Sequence, residues 1–268
     1  MLYQAKNGTL PLDNTEMDYI QFGSGARHLI MIPGLGEGLQ SIKGTALPFS
    51  IMYRKLAGDY RVTVFARRKV MTPGFSTRDM AEDISRGMAA LGIPTACVLG
   101  VSLGGMIVQH LAIDHPEQVE KLILCVTLPS PTQMLTDCLT GWKHMALAGD
   151  FSGIMEDTAL KSYTPEKLKK EGTWMYRLMG RFIKPAMTDR FLIMTEAGLT
   201  HNAADRLHAI TCPTLIIGGE RDVIVDGRAS YDLHRRIPGS GLYMYPQYGH
   251  GLYEEALDFL ERITAFFE

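Results

Sequence analysis

A serine hydroxyl is a weak nucleophile until a base within hydrogen-bond reach takes its proton and a third group holds that base in the right tautomer. Gly100-Val101-Ser102-Leu103-Gly104 offers such a serine, in the form G-x-S-x-G. The string directly follows an apolar run at residues 95–99 and directly precedes a helical pattern that opens at Leu103 and closes before Pro116. A serine held between strand and helix sits on a tight, strained turn, and glycines around it leave room where bulkier side chains would collide. An ordinary strand-to-helix turn also uses small residues, so the setting carries more weight than the string.

Eight histidines compete to be the base. His250 lies in the turn-rich Tyr248-Gly249-His250-Gly251, after a short strand pattern at residues 242–245 and at the start of the last helical stretch. His110, His115, His144, His201, His208 and His234 fall in or beside helical patterns, and His28 begins a strand, which makes His250 the best base. The orienting acid should hang from the carboxyl end of another core strand. After the apolar run at 214–217 the chain reads Gly218-Gly219-Glu220-Arg221-Asp222-Val223-Ile224-Val225-Asp226. Asp222 is the preferred acid, because one helix and one strand fit between it and His250. Glu220 and Asp226 remain competitors, and Asp226 equally suits a cap for the helix from Gly227.

Acyl transfer through a serine also needs donors where the carbonyl oxygen becomes an oxyanion, and losing one such donor typically costs ~3 kcal/mol of barrier. Backbone N–H groups suit the task because they are fixed before reaction. One is expected on Leu103, the residue after the serine, at the favourable dipole end of a helix. The other is expected on Leu35, in the Gly-rich Pro33-Gly34-Leu35-Gly36-Glu37-Gly38 that follows the apolar run at 28–32.

These residues need a scaffold that brings strand ends together. Continuous apolar runs at 28–32, 61–66, 95–99, 121–126 and 214–217 read as strands covered on both faces, as in a parallel sheet. Helical patterns alternate with them. Ser76 with Asp79 three residues on predicts a capped helix that buries Met80, Ile84, Met88 and Leu91 and stops at Gly92. Residues 227–236 and 252–267 supply two more, the last with Leu257, Leu260, Ile263 and Phe267 at helical spacing. Extended segments at 2–5 and 10–12, broken at Asn7-Gly8, predict an amino-terminal hairpin, with a third strand at 18–22. The expected fold class is α/β, a doubly wound and mostly parallel sheet led by that hairpin.

Residues 128–207 interrupt the alternation. They hold both tryptophans, Trp142 and Trp174, and seven of the 16 methionines (Met134, Met145, Met155, Met175, Met179, Met187 and Met194). Pro131, Pro165 and Pro185 stand where helices can begin. The division expected is a core of residues 1–127 and 208–268 with a helical cap, 128–207, inserted in it. Trp142, Trp174 and Met145 are candidate substrate contacts, although helix packing alone would use most such residues.

The length of 268 residues suits one large domain carrying an insertion. With 27 Lys+Arg against 29 Asp+Glu, a net charge of −2, the chain lacks the basic field that holds nucleic acid, which favours small neutral or weakly charged ligands; with the serine constellation above, a small acyl substrate is the expected partner. Cys97, Cys125, Cys138 and Cys212 form no C-x-x-C pair and read as buried reduced thiols, with neither metal nor cofactor expected. No window approaches 18 apolar residues without charge, and the start Met1-Leu2-Tyr3-Gln4-Ala5-Lys6-Asn7-Gly8 has no basic segment followed by an apolar run. A soluble, cytoplasmic protein without a membrane span is expected.

Serine, acid and histidine in that chain order, the G-x-S-x-G turn, the early Gly-rich loop and the helical insertion before the acid together resemble the α/β-hydrolase superfamily. Asp114-His115-Pro116-Glu117-Gln118-Val119-Glu120-Lys121-Leu122-Ile123-Leu124 is similar to the stretch after the elbow helix of its single-domain esterases and lactonases. The resemblance implies a serine esterase cycle: Ser102 attacks, His250 takes and returns the proton, Asp222 steadies the imidazolium, and the Leu35 and Leu103 amides hold the oxyanion. Two departures stand out. The family's oxyanion loop usually begins His-Gly, where this chain has Pro33-Gly34. Its Asp-x-Arg-Gly-x-Gly-x-Ser loop is replaced by Ala66-Arg67-Arg68-Lys69-Val70-Met71-Thr72-Pro73-Gly74-Phe75-Ser76. The Arg67-Arg68-Lys69 cluster is either a solvated, ion-paired loop or an attractor for a substrate carboxylate. Hydrolysis of an ester or lactone leads. Thioesterase, C–C hydrolase and aminopeptidase chemistry use the same residues, and a ligand sensor of slow turnover is the reading from a different class.

Overall fold

The computed structural model describes residues 2–183 and 188–268. Pro185 and Met187, noted above in the insertion, lie outside the described residues. Eight strands form one sheet in the order β1-β2-β4-β3-β5-β6-β7-β8. They are β1 (Lys6–Leu12), β2 (Thr15–Phe22), β3 (Arg27–Ile32), β4 (Tyr60–Arg68), β5 (Ala96–Val101), β6 (Val119–Cys125), β7 (Thr214–Gly219) and β8 (Gly241–Tyr245). The β1–β2 and β2–β4 pairs are antiparallel, and every pair from β4 to β8 is parallel. Four residues in a row are buried at the end of β3 and of β6, and five in β5, as strands covered on both faces require.

Helices α1 (Ala46–Met52), α2 (Thr77–Ala90) and α3 (Leu103–Asp114) precede β6, and α4 (Gln133–Leu147), α5 (Phe151–Ser162), α6 (Pro165–Glu171), α7 (Thr173–Gly180) and α8 (Thr188–Leu199) fill the connection from β6 to β7. The chain closes with α9 (Arg228–Arg236), α10 (Leu252–Glu255) and α11 (Phe259–Phe267). One apolar core joins the sheet to α2, α3, α9 and to α4, α5 and α8 of the β6–β7 connection, and a second joins its other face to α1, α10 and α11. Among the described residues no helix is long and apolar enough to cross a membrane.

Local chemistry sets the boundaries. Ser76 and Asp79 form a reciprocal capping box, the Asp79 N–H donating to Ser76 Oγ at 3.2 Å and the Ser76 N–H to Asp79 Oδ2 at 2.8 Å. Pro165 is the first residue of α6, while Pro131 stands outside α4, whose cap is Thr132. Cys97, Cys125 and Cys138 are buried and Cys212 is half-buried, all free thiols.

Four expectations are corrected. Residues 2–5 are not a hairpin strand: Leu2–Gln4 form a 3-10 turn and the first strand begins at Lys6. Asn7-Gly8 is not the hairpin turn: both lie inside β1, where Gly8 faces Tyr19 and a Cβ would stand 2.2 Å from its ring. Gly8 is there to admit an aromatic ring, and the chain reverses at Asp13 and Asn14, with Asp13 at φ 47°. The terminal helix is broken, Ala256 being extended at ψ 116°. Asp258 is held there by the Tyr245 hydroxyl at 2.9 Å, so the buried stripe is Phe259, Ile263 and Phe267, and Leu257 stands 96% exposed. Leu91, expected inside α2, is its half-buried C-cap.

Candidate active site

Ser102 stands between β5 and α3 at φ 55° and ψ −121°, a backbone conformation that a side-chain-bearing residue adopts only where its surroundings enforce it. The enforcement is visible on both sides. Its N–H donates to the Cys125 carbonyl at 2.9 Å, and its own carbonyl accepts from Thr127 Oγ1 at 2.8 Å. The glycines of the motif provide the clearance. A Cβ on Gly100 would meet Val108 Cγ2 at 2.4 Å, and one on Gly104 would meet the Ile32 carbonyl oxygen at 2.0 Å.

His250 lies with Nε2 3.0 Å from Ser102 Oγ and Nδ1 2.8 Å from Asp222 Oδ2. A carboxylate accepts, so Nδ1 carries the proton and Nε2 is left as the acceptor of the neutral ring. The other Asp222 oxygen, Oδ1, accepts the N–H groups of Ile224 at 2.9 Å and Val225 at 3.0 Å, which fixes the carboxylate plane. Asp222 and His250 are buried and Ser102 is half-buried, so the hydrogen-bonded chain is dry at the acid and reachable at the hydroxyl. The arrangement can move a proton from Ser102 to His250 and balance the resulting imidazolium with Asp222.

The competing acids have other work. Asp226 Oδ1 caps the turn into α9 by accepting the Arg228 N–H at 3.0 Å, and Glu220 accepts from the Tyr231 hydroxyl. Leu103 is the first residue of α3 and Leu35 the first of a short 3-10 turn, Leu35–Gly38, so both N–H groups belong to helix starts that lack intrahelical acceptors. The turn lies against the nucleophile: a Cβ on Gly34 would be 3.2 Å from Ser102 Cβ and 3.6 Å from its Oγ.

The sequence model of the family described as "alpha/beta hydrolase fold" matches residues 27–257. The chain belongs to this family. It is 26% identical to a putative carbamate hydrolase, RutD, of Klebsiella pneumoniae over 238 residues, covering 84% of this chain and 85% of the relative. The solved structure of MGS-M2, an alpha/beta hydrolase enzyme from a Medee basin deep-sea metagenome library, aligns with a TM-score of 0.86 at 18% identity over 97% of each chain. The enol-lactonase of Burkholderia xenovorans LB400 aligns with a TM-score of 0.80 at 18% identity, over 97% of this chain and 99% of that one.

Within this hydrolase fold the other candidates are placed as follows. Trp142 is buried in α4 with its indole N–H on Asp157 at 2.7 Å, Met145 is half-buried, and Trp174 is 67% exposed on α7. Arg68 forks onto Asp83, and Lys69 reaches Glu16 at 2.7 Å and Asp18 at 3.4 Å. Arg67 is the exception to the reading of a solvated, ion-paired loop: it is buried, and its side chain donates to the Pro33 carbonyl. A hollow lined by Pro129–Thr132, Asp226, Arg228, Ala229, Asp232 and Arg235 shares no residue with Ser102, His250 or Asp222.

Sequence reasoning missed two supports. The His250 turn is braced by the end of α5, where the Gly251 N–H donates to the Ser162 carbonyl at 2.8 Å and Gly251 lies under the Tyr163 ring. Glu37, inside the Gly-rich turn, is buried and paired with Arg190 of α8. A carboxylate in an otherwise apolar, glycine-rich loop was the available signal, since a buried charge calls for a partner.

Proposed function

We propose that this hydrolase-fold chain is a serine hydrolase that cleaves a carboxylic ester, a lactone or a related acyl bond of a small molecule through an acyl-enzyme. The observation that carries the reading is the single imidazole hydrogen-bonded to a serine on one nitrogen and a buried carboxylate on the other. Ser102 attacks the carbonyl carbon as His250 Nε2 accepts its proton, and the Leu35 and Leu103 amides receive the oxyanion. His250 then protonates the leaving alcohol, and water, deprotonated by the same nitrogen, releases the acid. Helices α4–α8, within residues 128–207, act as a cap on the core formed by 1–127 and 208–268, and Trp142, Met145 and Trp174 are its candidate substrate contacts. The names of two similar proteins, a putative carbamate hydrolase and an enol-lactonase, support an acyl carbon as the point of attack.

The test is hydrolysis of p-nitrophenyl esters and carbamates of graded acyl length by wild type and Ser102→Ala, with fluorophosphonate labelling in parallel. Ser102→Ala is expected to abolish both turnover and labelling, and undiminished turnover in that variant would sink the assignment.

A further inference from the structure

The turn that carries Leu35 is held from behind by three charged side chains, Glu37, Arg67 and Arg190, each at least nine-tenths buried. Arg190, on α8, donates through Nη1 to the Glu37 carbonyl at 2.8 Å and through Nη2 to both Glu37 Oε1 and the Arg67 carbonyl, the latter at 3.1 Å. Its Nε reaches the Arg68 carbonyl at 3.3 Å. Glu37 Oε2 in turn accepts the Arg67 N–H at 3.2 Å, and the Arg67 guanidinium donates to the Pro33 carbonyl. Every one of these bonds joins the turn, the end of β4 and α8. Packing follows the same path: a Cβ on Gly38 would stand 3.0 Å from Met194 Sδ and 3.3 Å from Phe191 Cα, both on α8.

Burial on this scale is costly. It pushes the Glu37 carboxyl above its ordinary range against the pull of Arg190 and Arg67, and it lowers the Arg67 guanidinium to about 10. Among the described residues, Arg67 also leaves Nε and Nη1 buried without a partner. Two buried guanidiniums therefore lie near one carboxylate, which is paired with Arg190 and takes only the main-chain N–H of Arg67, an arrangement that apolar repacking of the same space often matches or betters for stability alone. What the charges supply is direction. The Pro33 carbonyl and the Glu37 main and side chains are held by the two arginines, and the Gly34–Leu35 peptide lies between these fixed points in a stretch that Gly34 and Gly36 would otherwise leave free.

We propose that Arg190, Glu37 and Arg67 are positioning residues that hold the Leu35 amide in its oxyanion-binding orientation, and that this orientation exists only while α8 is seated on the turn. The proposal rests on the serine hydrolase reading above. The cap then both covers the site and completes its oxyanion hole.

The test compares wild type with Arg190→Met, Arg190→Lys and the double variant Arg190→Met/Glu37→Gln, which removes both members of the buried pair and so guards against an unpaired charge that unfolds the chain. Thermal unfolding identifies the folded variants. In these, kcat on a p-nitrophenyl ester and the affinity for a trifluoromethyl ketone, which mimics the oxyanion, are expected to fall together by about 10²-fold. KM should move less than about threefold, and Arg190→Lys should recover part of kcat. A folded double variant with wild-type kcat and wild-type ketone affinity overturns the proposal, as does a loss confined to KM. If wild-type protein neither hydrolyses esters nor reacts with fluorophosphonate, the hydrolase reading itself has failed; reactive wild type with unaffected variants fails this inference alone.

Discussion

Gly104 leaves no room for a side chain: the Ile32 carbonyl oxygen lies 2.0 Å from where its Cβ would be, and the Pro33 carbonyl oxygen 2.7 Å. The obstacle is backbone, so it cannot swing aside, and it belongs to the segment that leads into the Leu35 turn. Gly104→Ala is therefore expected to push α3 off β3 and cost about 1–3 kcal/mol in urea unfolding, the range of overpacked cores. Gly141 is the control. It lies within α4 with nothing within 4 Å of its Cβ position, so Gly141→Ala should stabilise by about 0.5–1 kcal/mol through helix propensity. Equal losses at both sites would show that the close approach at Gly104 does not govern its identity.

Asp222 uses its two oxygens for different tasks, one for His250 and one for the Ile224 and Val225 amides. Asp222→Asn can keep the backbone bonds through its carbonyl oxygen while presenting an NH2 group to Nδ1. The imidazole must then place its proton on Nε2, the wrong tautomer to accept from Ser102. A fall in kcat of about 10⁴-fold with little change in thermal stability is expected. A steady-state assay beside a melting curve reads both, and a variant that retains most of its turnover would contradict the proposed orienting role.

His110 on α3 and His201 after α8 meet edge to face with ring centroids 5.2 Å apart, and burial lowers them to about 4 and about 3. His201 Nδ1 pairs with Thr77 Oγ1 at 2.9 Å, the Leu128 main chain bears on the same ring, His110 Nδ1 has no partner among the described residues, and Asp114, Arg206 and Arg78 are the charges that bear on His110. The unfolded chain binds protons on both rings below its ordinary value of 6.5, where the folded chain does not. Stability is therefore present in full above pH 6.5 and is lost as pH falls toward 4 and then 3. His110 alone is worth up to about 3 kcal/mol across that window. The carboxyls of Asp13, Asp114, Asp226 and Asp258 are held below 3.8, so their losses come later. Urea midpoints at pH 7, 5.5 and 4.5 should decline, and His110→Phe should flatten the decline. An unchanged slope would assign the loss to other groups.

The strands that carry the site were legible because each is a continuous apolar run ended by glycine or proline, and a parallel strand buried on both faces needs no partner information to be recognised. Ser102, Asp222 and His250 were legible because each follows such a run, at the strand ends that a parallel sheet gathers on one side. What escaped depended on contacts distant in sequence. Gly8 has the composition of a turn and the role of a slot for Tyr19 across the hairpin. Leu257 keeps helical spacing with Leu260, but Asp258, tied to Tyr245, breaks the helix and leaves it outside. Glu37 and Arg190 lie 153 residues apart, so the loop around Glu37 signals that a partner is needed and nothing local says which residue it is. The consequence at Leu257 is testable: Leu257→Gln should leave the melting temperature unchanged, while Phe259→Ala, fully buried two residues on, should cost about 3–5 kcal/mol.

The brace under His250 makes the last expectation. A Cβ on Gly251 would stand 2.5 Å from Tyr163 Cδ1 and 3.0 Å from the Ser162 carbonyl oxygen, and the Tyr163 hydroxyl is anchored on Glu254 at 2.7 Å. Gly251→Ala must therefore lift the end of α5 or shift the His250 turn. A shift of the imidazole by about 1 Å costs on the order of 10²-fold in rate, so kcat should fall by roughly that factor while the protein stays folded. Tyr163→Ala in the same chain vacates the space the new methyl needs and leaves only the carbonyl contact. The double variant Gly251→Ala/Tyr163→Ala should then regain most of the lost kcat, more than either single effect predicts by addition. Additive losses in that cycle would mean that the ring and the glycine act on the site separately, and that α5 does not set the position of His250.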